Sequence, residues 1–157
     1  HRPANVDGEQ QLLGLLKAIA DGTHGLPVVF PVHPRTAKNL REAGKTLPSM
    51  HYVDPLGYLE FNYLVKHARG VITDSGGITE ETTVLGVPCL TLRDNTERPE
   101  TVTIGTNELI GTDPRKLPPA LARVMAGQWK KGAIPPKWDG KAAERIVGHL
   151  ETLLVRG

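Results

Sequence analysis

The sequence predicts an α/β fold in which a doubly wound parallel sheet is covered by helices on both faces. Strand-like and helix-like segments alternate along the 157 residues, and this alternation is typical of parallel strands joined by crossover helices. The strand-like segments are continuous apolar runs, as expected of strands buried on both faces. Gly and Pro number 17 and 13, which indicates frequent turns. The length suits one ordinary domain, and we expect residues 1–157 to form it.

The first half of the chain supplies two helices and two strands. Residues 12–20 are predicted to be helical because their Leu and Ile side chains fall on one apolar stripe, with Asp7 and Gln10 placed for a capping box. An apolar run predicts a buried strand at 26–32. A short helix at 35–43 is expected to end at a glycine, and a short strand follows at 50–53.

In the second half, apolar runs between Gly and Pro residues define the remaining elements. Two of the predicted helices are closed by a glycine, a residue that favours the left-handed conformation in which many helices end. On this pattern helices are predicted at 55–69, 77–85, 114–125 and 141–155, and strands at 71–73, 88–92 and 107–110.

Composition excludes several classes of protein. The net charge is only +2, and no basic run interleaved with aromatic residues points to nucleic acid. No apolar stretch approaches the roughly 18 residues that suggest a membrane span. Cys89 is the single cysteine, so an internal disulfide is impossible, and we expect a reducing, cytoplasmic location.

Motifs for metals and for several cofactors are missing from the sequence. The six histidines form no H-E-x-x-H pattern, and Cys89 has no second cysteine beside it, so no zinc site is expected. Neither G-x-G-x-x-G nor G-x-S-x-G occurs. We therefore expect neither a metal nor a cofactor.

The most informative segment runs from residue 71 to residue 82. A predicted strand leads into Ser75, Gly76 and Gly77, and a predicted helix follows. A helix that begins at the carboxyl end of a strand presents unpaired N–H groups and a positive dipole end, which suit a phosphate. Each helical Gly costs roughly 1 kcal/mol relative to Ala, so two together indicate close approach of a ligand. The alternative is an ordinary strand–turn–helix with a glycine turn.

Two acidic residues follow this turn. Glu81 lies four residues after Gly77, on the same helix face, and helical side chains lean toward the N-terminus. Its carboxylate is therefore expected to reach past the helix start and accept hydrogen bonds from a diol such as ribose. Glu80 is turned about 100° away and is expected to be solvated.

Three further residues stand where a site is possible. Arg98 follows the strand at 88–92, where an arginine can grip a phosphate, although a surface ion-pair cluster is the alternative. His33 ends another strand, but a lone His more often serves local hydrogen bonding. Phe61 lies on an apolar helix and suits either the core or stacking on a base.

Five stretches of the sequence carry a resemblance to one family: residues 1–7, 31–34, 73–81, 92–100 and the tail 139–143. Taken together, these segments resemble the non-hydrolysing UDP-N-acetylglucosamine 2-epimerases. The resemblance implies the C-terminal half of a two-domain enzyme with Rossmann-like halves in the arrangement called GT-B. It also implies that UDP-GlcNAc loses UDP, that a glycal forms, and that UDP adds back to give UDP-ManNAc.

The resemblance assigns a role to every candidate residue except His33, which stays a candidate substrate-binding residue. Ser75, Gly76 and Gly77 would bind the diphosphate, and Glu81 would bind the ribose hydroxyls. Phe61 would contact the uracil, and Arg98 would belong to the nucleotide-sugar site. His1 would be the catalytic residue that assists the departure of UDP. The implied partners are UDP, a UDP-sugar and the N-terminal domain, with a homodimer at full length. The proton-handling carboxylates would lie in that N-terminal domain.

Two departures from the family pattern bear on function. Ala4 stands where many members have a Glu associated with a regulatory UDP-GlcNAc site, which argues against such regulation here. Leu56 replaces a Gln near the uracil, so a uracil contact there would come from backbone. The sequence leaves two alternatives open: a GT-B glycosyltransferase domain and a non-catalytic nucleotide-sugar sensor. The isolated chain is expected to lack epimerase activity.

Overall fold

The computed structural model describes residues 9–32, 34–42 and 46–155. Within these ranges seven helices and five short strands alternate, which confirms the predicted α/β class. In chain order the elements are α1 (Glu9–Gly22), β1 (Val28–Pro31), α2 (Pro34–Glu42), β2 (Met50–Val53), α3 (Tyr58–His67), β3 (Val71–Thr73), α4 (Gly76–Leu85), β4 (Cys89–Thr91), α5 (Pro99–Thr103), β5 (Asn107–Leu109), a 3-10 turn (Pro114–Lys116), α6 (Leu117–Met125) and α7 (Ala142–Val155).

All strand pairs in the described residues are parallel, as the alternation predicts. β1 pairs with β2, with Val28 opposite Met50. β4 lies between β3 and β5, with Leu90 opposite Ile72 on one side and Glu108 on the other. The hydrogen bonds thus form a pair and a triplet of strands rather than the single ladder that the sequence predicts.

Helices cover both faces of the β3–β4–β5 group. Leu90 of β4 packs into a buried cluster with side chains of α1 and α6. Cys89 and Thr91 point to the opposite face because side chains alternate along a strand. There the Cys89 thiol lies within hydrogen-bonding reach of Thr82 of α4, and burial raises its pKa. The doubly wound arrangement is therefore confirmed around β4.

Helix α1 joins two parts of the core. Its Leu15 and Ile19 side chains pack with Leu121 of α6 and Leu90 of β4. Its other buried leucines, together with Met50, form a second cluster beside β1 and β2. The leucine stripe read from the sequence thus packs against both groups of strands.

Strand β1 departs from the prediction of burial on both faces. The side chain of Val29 is 45% exposed, whereas Val32, just after the strand, is fully buried. In β4, by contrast, all three residues are buried. A mostly apolar sequence is therefore found both in β4, which is covered on both faces, and in β1, which has one face open.

Helix boundaries follow the predicted glycine signals where a left-handed residue is needed. Gly86 follows α4 with φ of 70°, and its N–H donates to the carbonyls of the last turn. The short helix α5 was not predicted, because Pro99–Thr103 is too short to show an apolar period. Asp7, the predicted cap of α1, lies outside the described residues.

None of the helices in the part of the chain described above is both long enough and apolar enough to cross a membrane.

Candidate functional site

The turn between β3 and α4 presents backbone N–H groups at the carboxyl edge of the strands. Ser75 is the N-cap of α4, in extended conformation with φ of −93° and ψ of 129°. Its N–H donates to Oγ1 of Thr73 at 3.1 Å, which holds the turn in place. No side chain caps the first turn of α4. These amides and the exposed Ser75 side chain are therefore available to an anion.

The space above the two glycines is open. A Cβ atom built on Gly77 meets no heavy atom of the described protein within 4 Å. A Cβ on Gly76 meets only Oε2 of Glu97, at 3.6 Å, which is ordinary van der Waals contact. Neither residue has a positive φ. The fold of the described chain thus gives no reason for glycine at these positions, and the space is available to a ligand.

Glu81 shares α4 with this turn and is partly buried. Its carboxylate makes no hydrogen bond or ion pair with the residues that the structure describes. An acceptor with free oxygens beside an open anion site can bind the hydroxyl groups of a ligand. The structure therefore places Glu81 on the helix that begins at the candidate phosphate turn.

Arg98 lies beside α4 and forms an ion pair with Glu80, which corrects the prediction that Glu80 is solvated. Nε of Arg98 donates to Oε1 of Glu80 at 2.6 Å, so Glu80 is ion-paired rather than simply solvated. This hydrogen bond, with the attraction of the Glu80 charge, raises the pKa of Arg98. The contact was missed because the two residues are 18 positions apart and no periodic pattern links them.

Arg93 is a site residue that the sequence interpretation did not single out. Its side chain is 9% exposed, and Nη2 donates to Oε1 of Glu97 at 2.9 Å and to Oδ1 of Asn95 at 3.2 Å. An arginine so deeply buried needs such partners. Arg93 therefore shapes the loop whose Glu97 faces Gly76. The available signal was an arginine directly after a mostly apolar strand.

A buried relay of hydrogen bonds supports the same loop. Oγ1 of Thr91 donates to Oδ1 of Asn107 at 2.6 Å, and Nδ2 of Asn107 donates to Oγ1 of Thr101 at 3.1 Å. Oγ1 of Thr101 in turn donates to the carbonyl of Arg98 at 2.7 Å. The three side chains are at most 2% exposed. The sequence indicated these hydrogen bonds only through Asn107, which lies in a predicted strand. An Asn side chain that is buried must be hydrogen-bonded.

Phe61 occupies α3, which packs against α4. Its side chain is only partly buried, so it is neither a full core residue nor fully exposed. An open apolar hollow of about 450 Å³ lies on the same helix but is lined by other side chains, including Leu56 and Tyr63. The hollow is thus separate from the turn at Gly76.

Two of the predicted site residues, His1 and His33, lie outside the described residues, and so does Ala4. Within the described ranges, no group of His, Cys, Asp and Glu side chains is arranged to hold a metal ion.

Comparison with known proteins places the chain in one family. The profile of the family described as UDP-N-acetylglucosamine 2-epimerase matches residues 1–151. The UDP-N-acetylglucosamine 2-epimerase of Methanocaldococcus jannaschii is 41% identical over 156 residues, covering 94% of this chain and 42% of that protein. The chain therefore spans less than half the length of this relative and corresponds to its C-terminal half.

Two solved structures extend the comparison to the fold. The crystal structure of the M. jannaschii enzyme in complex with UDP-GlcNAc and UDP matches with a TM-score of 0.78 at 40% identity, over 97% of this chain and 43% of that one. The Neisseria meningitidis UDP-GlcNAc 2-epimerase bound to UDP-GlcNAc matches with a TM-score of 0.80 at 28% identity, over 97% and 43%. Both are GT-B enzymes, as predicted. The chain belongs to the UDP-N-acetylglucosamine 2-epimerase family.

Proposed function

We propose that this chain is the UDP-binding C-terminal domain of an enzyme that interconverts UDP-GlcNAc and UDP-ManNAc. The observation that carries the proposal is the uncapped start of α4, where Gly76 and Gly77 leave open space in front of free amides. A diphosphate suits that site because both the N–H groups and the helix dipole favour an anion. The family membership supplies the identity of the nucleotide.

In the proposed reaction, a base removes the C2 proton of the sugar while the C1–oxygen bond breaks. The electron pair of that bond leaves with UDP, and a glycal remains. UDP then adds back at C1 while a proton reaches the opposite face of C2, so the configuration at C2 is inverted. The amides of Gly76 and Gly77 and the Ser75 hydroxyl would hold the diphosphate that leaves and returns. His1 would assist the departure of UDP.

The roles of the remaining residues follow from the same proposal. Arg98 would add a positive charge at the nucleotide-sugar site, and Glu81 would accept hydrogen bonds from the ribose. Phe61 would contact the uracil, and His33 would lie at the same edge of the sheet. The acid and base at C2 would come from an N-terminal domain that these 157 residues do not include.

Helix α7 supports the existence of that partner domain. Every side chain of α7 that the structure describes is exposed, including a stripe of large apolar residues. Uncovered apolar surface of this kind marks an interaction site, and the chain spans only 42% of its M. jannaschii relative. We expect the N-terminal domain to cover α7. The exposed apolar side chains are Ile146, Val147, Leu150, Leu153 and Leu154.

Two further parts of the proposal rest on the resemblance and on composition. A homodimer of the full-length enzyme is carried over from the family. A cytoplasmic location is supported by the buried, unpaired thiol of Cys89. The family match favours this function over a glycosyltransferase or a sensor, because both the profile and the relatives are named as 2-epimerases.

The proposed function predicts that the 157-residue chain binds UDP but does not epimerise UDP-GlcNAc. Binding is expected to be weaker than in a two-domain enzyme because one wall of the site is missing. Isothermal titration with UDP measures the first part, and a coupled assay for UDP-ManNAc measures the second. No binding of UDP would refute the nucleotide site, and turnover by the pure chain would refute the assignment of the C2 chemistry to another domain.

Glu81→Ala is predicted to weaken UDP binding by roughly ten- to a hundredfold, since a hydrogen bond to a charged group contributes about 1.5–3 kcal/mol. Because Glu81 makes no bond with a described residue, stability should change little. The matched ligand is UDP whose ribose lacks both hydroxyls, for which the variant and the unmodified chain should have equal affinity. A similar loss for both ligands would contradict the ribose role.

A further inference from the structure

The guanidinium of Arg98 is held at two of its three nitrogen atoms. Nε donates to the Glu80 carboxylate at 2.6 Å, and Nη1 donates to the backbone carbonyl of Glu97 at 3.2 Å. Nη2 donates to none of the described residues. A guanidinium carries its donors in a rigid planar fork, so fixing two nitrogens also fixes the direction in which Nη2 points. Arg98 therefore has one amino group free and already oriented.

The position of Glu80 connects this ion pair with the candidate phosphate turn. Glu80 lies on α4, the helix whose N-terminus forms the candidate phosphate turn. Its carboxylate therefore connects the helix that begins at Gly76 to the charged group of a separate loop. The relay from Asn107 through Thr101 holds the backbone of Arg98, and Glu80 holds its side chain.

Stability does not explain this ion pair. The side chains of Arg98 and Glu80 are 47% and 38% exposed, and pairs at such exposure contribute little to folding. An unrestrained arginine would instead lose side-chain freedom each time it bound an anion. A carboxylate that holds the guanidinium before the ligand arrives reduces that cost.

We propose that Glu80 is a positioning residue, whose carboxylate orients the Arg98 guanidinium so that Nη2 meets the diphosphate of the nucleotide. The inference rests on the proposed function, in which UDP occupies the turn at Gly76. It assigns Glu80 a role in nucleotide affinity that it exerts only through Arg98. Charge alone predicts the opposite sign, because a carboxylate near the site repels an anion and removing it would tighten binding.

Titration of the 157-residue chain with UDP and with uridine tests this inference. Glu80→Ala should weaken UDP binding by roughly three- to tenfold, whereas uridine, which has no phosphate, should bind as before. Glu80→Gln keeps an acceptor for Nε and should lose less affinity. In an Arg98→Ala background, Glu80→Ala should have no further effect on UDP. The control is Asp139→Asn. Asp139 precedes α7 and forms a similarly exposed ion pair with Arg145 of that helix, so its replacement should change the affinity for neither UDP nor uridine.

The possible outcomes separate this inference from the function on which it rests. UDP binding that is unchanged or tighter in Glu80→Ala would overturn the positioning role while leaving the nucleotide site intact. An equal loss for UDP and uridine, or a further loss in the Arg98→Ala background, would also overturn it by showing a structural effect. Failure of the unmodified chain to bind UDP would overturn the proposed function and this inference together.

Discussion

Gly77→Ala is expected to stabilise the protein and at the same time to weaken UDP binding by about tenfold or more. A Cβ at this position meets nothing in the described protein within 4 Å. Replacing a helical Gly by Ala where the backbone permits it stabilises by about 0.4–1 kcal/mol. The Cβ atoms of a helix tilt toward its N-terminus, so the new methyl group would enter the space reserved for the diphosphate. A gain in stability together with a loss of UDP affinity would show that this glycine serves ligand binding rather than folding.

Thermal unfolding and UDP titration on the same samples measure both effects. Gly148→Ala is the matched control, because Gly148 also lies within a helix and its added Cβ also meets nothing within 4 Å. It should stabilise similarly and leave UDP affinity unchanged. Gly76→Leu places a larger group at the same turn and should abolish detectable binding. Unaltered affinity in both Gly77→Ala and Gly76→Leu would rule out the proposed phosphate turn.

The backbone of this site could be predicted from sequence because its signals are local. β2 and β3 have the predicted bounds, since each contains β-branched or aromatic residues and lies between residues that disfavour strands. The turn at Ser75, Gly76 and Gly77 could be predicted because two adjacent glycines stand between a strand-like and a helix-like segment. The backbone of this candidate turn is thus set by a few adjacent residues and can be predicted without the rest of the fold.

The side chains that complete the site could not be predicted in the same way, because their partners are distant in sequence. Glu80 was expected in solvent, since helix periodicity describes its direction but not the loop that it meets. Arg93 was overlooked, because its burial depends on how the loop after β4 folds back over it. Periodicity likewise predicted a strand at Asn107 but not the hydrogen bonds that the strand would bring together.

Asn107→Leu is the second change with a large expected effect, a loss of about 2–4 kcal/mol of stability. Leucine has a similar size but takes away the acceptor for Thr91 and the donor for Thr101, two hydrogen bonds in a buried region. A buried polar group that loses its partner costs about 1–3 kcal/mol, against the 5–15 kcal/mol that usually stabilises a domain. Urea unfolding measures the loss as a lower midpoint at constant slope.

A matched control separates the hydrogen bonds from the mere presence of polar groups in the core. Thr83 Oγ1 is the one buried side-chain oxygen in the described residues that lacks a partner, so Thr83→Val should be neutral or slightly stabilising. Combining Asn107→Leu with Thr91→Val removes one orphaned hydroxyl and should recover part of the loss. If Asn107→Leu costs no more than Thr83→Val, the relay from β4 to the carbonyl of Arg98 adds nothing to stability. The loop that carries Arg98 would then be held by Arg93 and the ion pair with Glu80.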